Sequence, residues 1–361
     1  MFFYTNGVYD VRFNFFGEIM KTARLFPAAI LLVACTCSLR AENAEQTRAA
    51  FLKIVDRPRV ALSPEVKDLP PAGEFAQQHF TYASEAEQRV PGILLKPAGD
   101  AKRAVVIVCH GTGGKKEGEV GLMKQLCEKG FIAVAIDGRY HGERCNAATG
   151  LDDYFEAIHE AYKNGKGHPL YFDTVWDLMR LVDYLETRPD VDAKRIGIIG
   201  FSKGGIETFL ASGLEPRFAV SVPCIGVQSF KWGLENGGWK SRLGTFQKAV
   251  TLILKDEGVP SSPEFAKKFY DRMLPGIDSI FDGPQMLTII APRPLMVVNG
   301  EIDDKTPLAG VKLAADAATV AYKAANAEDK FKLIIQEKQG HTVTKESMHA
   351  IIDWFTQWLK P

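Results

Sequence analysis

Arg195-Ile196-Gly197-Ile198-Ile199-Gly200-Phe201-Ser202-Lys203-Gly204-Gly205-Ile206 runs from an apolar segment, through a serine flanked by glycines, into a helix-like stretch. The order is strand, sharp turn, helix, with Ser202 at the apex. A Gly-x-Ser-x-Gly turn of this kind holds the serine hydroxyl clear of the backbone at the top of a sheet. The glycines fit a turn that strains the backbone and brings helix and strand close. Ser202 is therefore a candidate nucleophile, and the rest of the chain must supply a base, an acid and an oxyanion site.

Short apolar runs recur on both sides of the turn. Ala104–Cys109, Phe131–Ile136, Ile196–Ile199, Phe218–Val222, Leu295–Val298 and Phe331–Ile335 are β-rich and uninterrupted, as strands buried on both faces must be. Between them lie helical patterns at Val120–Lys129, Phe172–Leu185, Ile206–Ser212, Leu308–Ala325 and Lys345–Leu359. Val175, Leu178, Leu181, Val182 and Leu185 share one helical stripe. His79–Tyr82 and Val90–Leu95 read as an antiparallel lead-in pair. Pro58, Pro64, Pro70 and Pro71 make the segment before it an irregular connection, and residues 43–55 read as an exposed helix. The expected fold is α/β, a mostly parallel sheet flanked by helices, with an insertion (225–287) between the sixth and seventh predicted strands. A connection that long has helices of its own and commonly covers a site.

The chain has 361 residues, 46% hydrophobic and 24% charged, with 44 Lys+Arg against 44 Asp+Glu. This is globular composition with ample length for a large core. No basic stripe suggests a nucleic-acid partner. Residues 1–41 read as a leader. Met20-Lys21-Thr22-Ala23-Arg24 is a short basic start, Leu25–Cys35 an apolar core, and Ser38-Leu39-Arg40-Ala41 an ending, which is the layout of an export signal and too short for a membrane span. Residues 1–19 are then an upstream extension. Leu32-Val33-Ala34-Cys35 equally fits a lipoprotein signal with a lipid anchor at Cys35, so cleaved signal and anchor both stand. Either way the protein is expected outside the cytoplasm: periplasmic, at the outer surface or secreted. Residues 42–75 are expected to form the helix and linker, and 76–361 the catalytic domain. The cysteines show no metal-ligand spacing, and no cofactor is expected.

A serine hydroxyl needs a base in contact, and the base needs an acid to fix its tautomer. His341 follows Gly340 at the end of the last predicted strand, whereas His349 lies within a helical pattern. Glu301, Asp303 and Asp304 follow the strand ending at Val298. These three compete for the acid's role; Gly300-x-x-Asp303-x-x-Thr306-Pro307 resembles the common acid turn of the α/β-hydrolase family, which makes Asp303 the preferred acid and Asp304 the alternative. Oxyanion donors are expected from the backbone N–H of Lys203, next to Ser202, and of Thr112 in the glycine-rich loop His110-Gly111-Thr112-Gly113-Gly114. That loop lacks phosphate-binding glycine spacing. Arg139 and Tyr140, in the loop Asp137–Glu143, are candidate substrate contacts, with bracing of the loop the competing role for Arg139. Trp232 and Trp239 are a candidate aromatic wall for a sugar or acyl group, or packing within the insertion.

From about residue 90 to 361 the chain resembles the α/β-hydrolase superfamily. It is similar to the branch containing dienelactone-hydrolase-like proteins, acetyl xylan esterases and the catalytic domains of prolyl-oligopeptidase-type enzymes. The matching landmarks are His110-Gly111, Asp137–Glu143, Gly200–Gly205, Gly300–Pro307 and Gly340-His341. The resemblance implies an exported serine carboxylesterase acting on short acyl, notably acetyl, esters of a small molecule or polysaccharide. A peptidase or amidase with the same triad is the alternative, as is a dienelactone-hydrolase-like enzyme, although that enzyme itself has cysteine where Ser202 stands. A catalytically silent binding module is the reading from another class.

Overall fold

The computed structural model describes residues 44–99, 101–146 and 151–360. The leader, with the signal and Cys35 readings, lies outside the described residues.

Among the described residues, nine strands form one mixed sheet in the order β1-β2-β3-β5-β4-β6-β7-β8-β9. β1 (Glu65–Ala72), β2 (Phe75–Glu85) and β3 (Gln88–Lys96) are antiparallel, and β3 joins β5 (Ile132–Ile136) antiparallel. β4 (Arg103–Cys109), β5, β6 (Val191–Phe201), β7 (Phe218–Cys224), β8 (Leu295–Gly300) and β9 (Phe331–Gln336) run parallel. Every residue of β5 and β8 is buried, which accounts for the unbroken apolar runs Ile132–Ile136 and Leu295–Val298. β4 is flanked by β5 on one side and β6 on the other, so the strand order reverses there. The carboxyl ends of β4 and β6 thus open onto the crevice where α/β sheets build their sites.

β1 corrects the expectation of an irregular connection. Pro70 and Pro71 stand in an edge strand, where a missing N–H costs no ladder bond, and the register shifts between Leu69 and Ala72. The helix at 44–55 (α1) is not wholly exposed either, since Phe51 and Val55 are fully buried. The framework helices are α2 (Val120–Glu128), α3 (Leu151–Asn164), α4 (Phe172–Glu186), α5 (Lys203–Leu214), α11 (Leu308–Ala324) and α12 (Lys345–Leu359).

The segment between β7 and β8 carries five helices: α6 (Phe230–Glu235), α7 (Trp239–Gly244), α8 (Gln247–Glu257), α9 (Pro263–Met273) and α10 (Gly283–Ile290). Buried Asp282 ties its two ends together. One carboxylate oxygen accepts from the N–H groups of Phe230 (2.6 Å) and Gly283 (2.8 Å), the other from the Ser229 hydroxyl (2.7 Å). A single side chain so satisfies orphan donors at two helix starts. Among the described residues, no helix is long and apolar enough to cross a membrane.

Candidate active site

Ser202 stands between β6 and α5 with φ 55° and ψ −112°, a conformation an L-residue rarely adopts. Its own N–H donates to the Cys224 carbonyl (3.0 Å) and its carbonyl starts the helix at Ile206 (3.0 Å). Gly204 explains part of the motif: a Cβ there would lie 2.2 Å from the Cys109 carbonyl oxygen. Only glycine lets α5 start this close to β4.

The base arrives from β9. Gln336 ends that strand, and the following turn brings His341 to Ser202, with Nε2 2.7 Å from Oγ. The acid arrives from β8. Asp303 Oδ2 lies 2.7 Å from His341 Nδ1 and accepts from the Thr306 hydroxyl (2.7 Å). Its Oδ1 accepts from the N–H groups of Lys305 (2.8 Å) and Thr306 (3.3 Å). Burial pushes the Asp303 carboxyl up, but the hydrogen bonds from His341 and Thr306 outweigh it and hold the group below its ordinary value. The two loops are fastened to each other. Glu301 and Ile302 donate backbone N–H groups to Gln336 and Gln339, each at 3.0 Å. At Gly300 a Cβ would sit 2.1 Å from the Gly340 carbonyl, so this glycine permits their close approach.

Asp304 points elsewhere. It is exposed, takes a hydrogen bond from Ser241 (2.7 Å) and pairs with Lys305 Nζ (3.1 Å). The structure brings Asp303, and not Asp304, to His341.

The two segments expected to supply oxyanion donors both lie beside Ser202. Lys203 is the first residue of α5, so its N–H belongs to the helix's unsatisfied first turn. The loop carrying Thr112 runs beside the elbow, with a Cβ on Gly111 lying 3.7 Å from Ser202 Cβ. His110 braces that loop. Its Nε2 accepts the Gly138 N–H (3.0 Å), and its Nδ1 lies 2.7 Å from the Gly111 carbonyl, which it reaches as the donor. Burial first, and the nearby Lys203 charge second, push the His110 imidazole down to about 4, so it is neutral at pH 7. The same two causes lower His141, whose ring lies tilted against that of His110 at 5.0 Å.

The remaining candidates are placed otherwise than a binding role requires, with two exceptions. Arg139 is buried, and its guanidinium grips Asp177 through Nε (3.0 Å) and Nη2 (3.0 Å) and pairs with Glu85. It braces the loop. Trp239 is 4% exposed and packs inside the insertion. Tyr140 (φ 60°) and Trp232 are only half-buried and stay available.

Several residues escaped sequence reasoning. The Lys203 side chain is buried and pairs with Glu207 at 2.5 Å. Burial pushes the Glu207 carboxyl up, against the pull of Lys203. Their i,i+4 spacing was the available signal. Thr306, three residues after Asp303, was legible as a local partner. Ser241 and Arg242, from α7, meet the acid turn from far away in sequence, and nothing local marks them.

A mixed, largely parallel sheet with a strained serine turn, a histidine after the last strand and an acid after the one before is the arrangement of the α/β-hydrolase fold. Residues 120–326 match the family model described as "Glucuronyl esterase, fungi", and the chain belongs to that esterase family. It is similar to YtaP of Bacillus subtilis (strain 168), 23% identical over 88% of this chain and 100% of that protein. It is also similar to 4-O-methyl-glucuronoyl methylesterase 1 of Sodiomyces alcalophilus, 31% identical over 37% of this chain and 27% of that protein. The chain thus spans all of the first relative and about a quarter of the second. Among solved structures, the acetyl xylan esterase from Paenibacillus sp. R4 shares the fold with a TM-score of 0.60 at 19% identity, covering 88% of this chain and 92% of that one.

Proposed function

We propose that the protein is an exported serine carboxylesterase that cleaves carbohydrate esters through an acyl-enzyme on Ser202. The observation that carries this reading is the continuous line Ser202 Oγ–His341 Nε2–Asp303 Oδ2, each step 2.7 Å. His341 takes the hydroxyl proton as Ser202 Oγ attacks the ester carbonyl. Asp303 holds the imidazole with Nε2 toward the serine and balances the charge it gains. The Lys203 and Thr112 N–H groups receive the oxyanion, a contribution of roughly 3 kcal/mol per donor in comparable sites. His341 returns the proton to the departing alcohol. Water then attacks the acyl group by the same route in reverse, releasing acid and free Ser202. Neither metal nor organic cofactor enters these steps. Export rests on the sequence of residues 1–41.

For substrate, the resemblance to acetyl xylan esterases favours a short acyl group, acetyl first, on a sugar or polysaccharide. A uronic-acid ester is the second reading, favoured by the family-model match over residues 120–326. The test is hydrolysis of acetylated xylo-oligosaccharides beside benzyl and methyl esters of glucuronic acid. Preference for the first supports an acetylesterase, and preference for the second a uronoyl esterase. Turnover of aminoacyl amides but of neither ester class would overturn both.

A further inference from the structure

Arg242 lies on α7, more than sixty positions before the acid turn, yet it is buried and donates from Nη2 to the Lys305 carbonyl at 2.6 Å. With its amide oriented to satisfy its neighbours, Gln228 accepts from Arg242 Nε (3.0 Å) and Nη2 (3.1 Å) and donates to the same Lys305 carbonyl (3.3 Å). The phenol of Tyr171, buried and at a residue with positive φ (68°), stands beside the guanidinium. Burial pushes that phenol up to about 12, so these partners are neutral oxygens. A buried cation committed to neutral acceptors is costly to keep, which raises the question of what it holds.

The Lys305 carbonyl and the Thr306 N–H belong to one planar peptide group. That N–H donates to Asp303 Oδ1, and the Lys305 N–H one bond group earlier donates to the same oxygen. Gripping the carbonyl therefore fixes the tilt of the peptide whose other face aims at the carboxylate. Asp303 Oδ2 in turn meets His341. A second tie lies outside it: Ser241, next to Arg242, donates to Asp304 (2.7 Å) and accepts from Lys305 Nζ (3.0 Å).

We infer that Arg242 is a positioning residue for the catalytic acid, and that the insertion between β7 and β8 is a working part of the triad through it. The inference rests on the triad reading above. Arg, not Lys, suits the place because its rigid fork reaches the Lys305 carbonyl and the Gln228 amide oxygen together.

The test is a double-mutant cycle with Asp303→Asn, read in kcat and KM for p-nitrophenyl acetate and in the rate of Ser202 labelling by a fluorophosphonate, which is measurable for slow variants. Arg242→Gln in the otherwise native protein is expected to lower kcat by about 10²-fold, the scale of a misplacement near 1 Å, with KM little changed. Arg242→Lys restores part of the loss. In the Asp303→Asn background, Arg242→Gln changes the labelling rate by no more than about twofold, the limit of independent behaviour. A residue that only stabilised the fold would act equally in both backgrounds, and that result overturns the inference, as does full kcat in folded Arg242→Gln. If Arg242→Gln does not fold, Gln228→Leu, which removes one support of the same carbonyl, must show the same background dependence, and its absence is equally decisive. Ser202→Ala and Asp303→Asn made alongside separate the two failures. Their full activity condemns the triad reading itself; their inactivity with additive Arg242 effects condemns only the clamp.

Discussion

Replacing Asp303 by asparagine changes one oxygen into an NH2 group and little else, and the structure fixes which oxygen. Oδ1 receives two backbone N–H groups, from Lys305 and Thr306. An amide NH2 placed there would face donors, so the asparagine carbonyl must take that side. Its NH2 then occupies the Oδ2 position, 2.7 Å from His341 Nδ1. Nδ1 must accept, which puts the imidazole proton on Nε2, facing Ser202. An Nε2–H cannot take the serine proton. The expected loss is about 10⁴-fold in kcat, the scale seen when a triad histidine is held in the wrong tautomer, or about 5.5 kcal/mol of transition-state stabilisation. Asp304→Asn breaks only an exposed pair with Ser241 and Lys305, worth at most about 1 kcal/mol, or about fivefold. Steady-state hydrolysis of p-nitrophenyl acetate at pH 7–8 reads both. An Asp303→Asn enzyme within tenfold of the native rate, or equal losses for the two variants, would refute the tautomer argument.

Other expectations concern the frame. Gly204→Ala places a methyl 2.2 Å from the Cys109 carbonyl and 2.8 Å from that of His110. It should lower stability by at least about 3 kcal/mol, seen as a fall in the urea midpoint with an unchanged slope. Asp177 is buried between Arg139 and Arg144, and although burial pushes its carboxyl up, their charges hold it well below its ordinary value. Its folded-state titration is depressed, so its stabilisation is complete above the unfolded carboxyl value of about 3.9 and is lost as pH falls below it. Urea midpoints of the native protein should drop through that window, whereas Asp177→Asn should show a shallower drop. At neutral pH that variant should be weaker by about 3–5 kcal/mol, because two buried guanidinium groups lose their partner. Parallel pH curves would contradict this.

What was legible in the sequence was whatever is written locally. The buried strands announce themselves because burial on both faces leaves no room for polar alternation, and the elbow because Gly200, Ser202 and Gly204 meet steric demands within five residues. His341 was legible from its place after a strand end, whereas the same kind of place left Glu301, Asp303 and Asp304 in competition until the contact with His341 could be seen. β1 was not, because Pro70 and Pro71 signal irregularity unless the strand is known to lie at an edge. The role of Arg139 was open until Asp177, on α4, could be seen to hold it. Arg242 was invisible for the same reason: its significance is the Lys305 carbonyl, which only tertiary structure brings within reach. Trp239, an attractive binding residue by type, proves to be core of the insertion.

The most direct measurement is to quench the reaction with p-nitrophenyl acetate at acid pH within the first turnovers and map the covalent product by peptide mass spectrometry. The prediction is one acetyl group on the peptide carrying Ser202, absent in Ser202→Ala, which also loses turnover. Acetylation elsewhere, or a Ser202→Ala protein that hydrolyses the ester at the native rate, would contradict it.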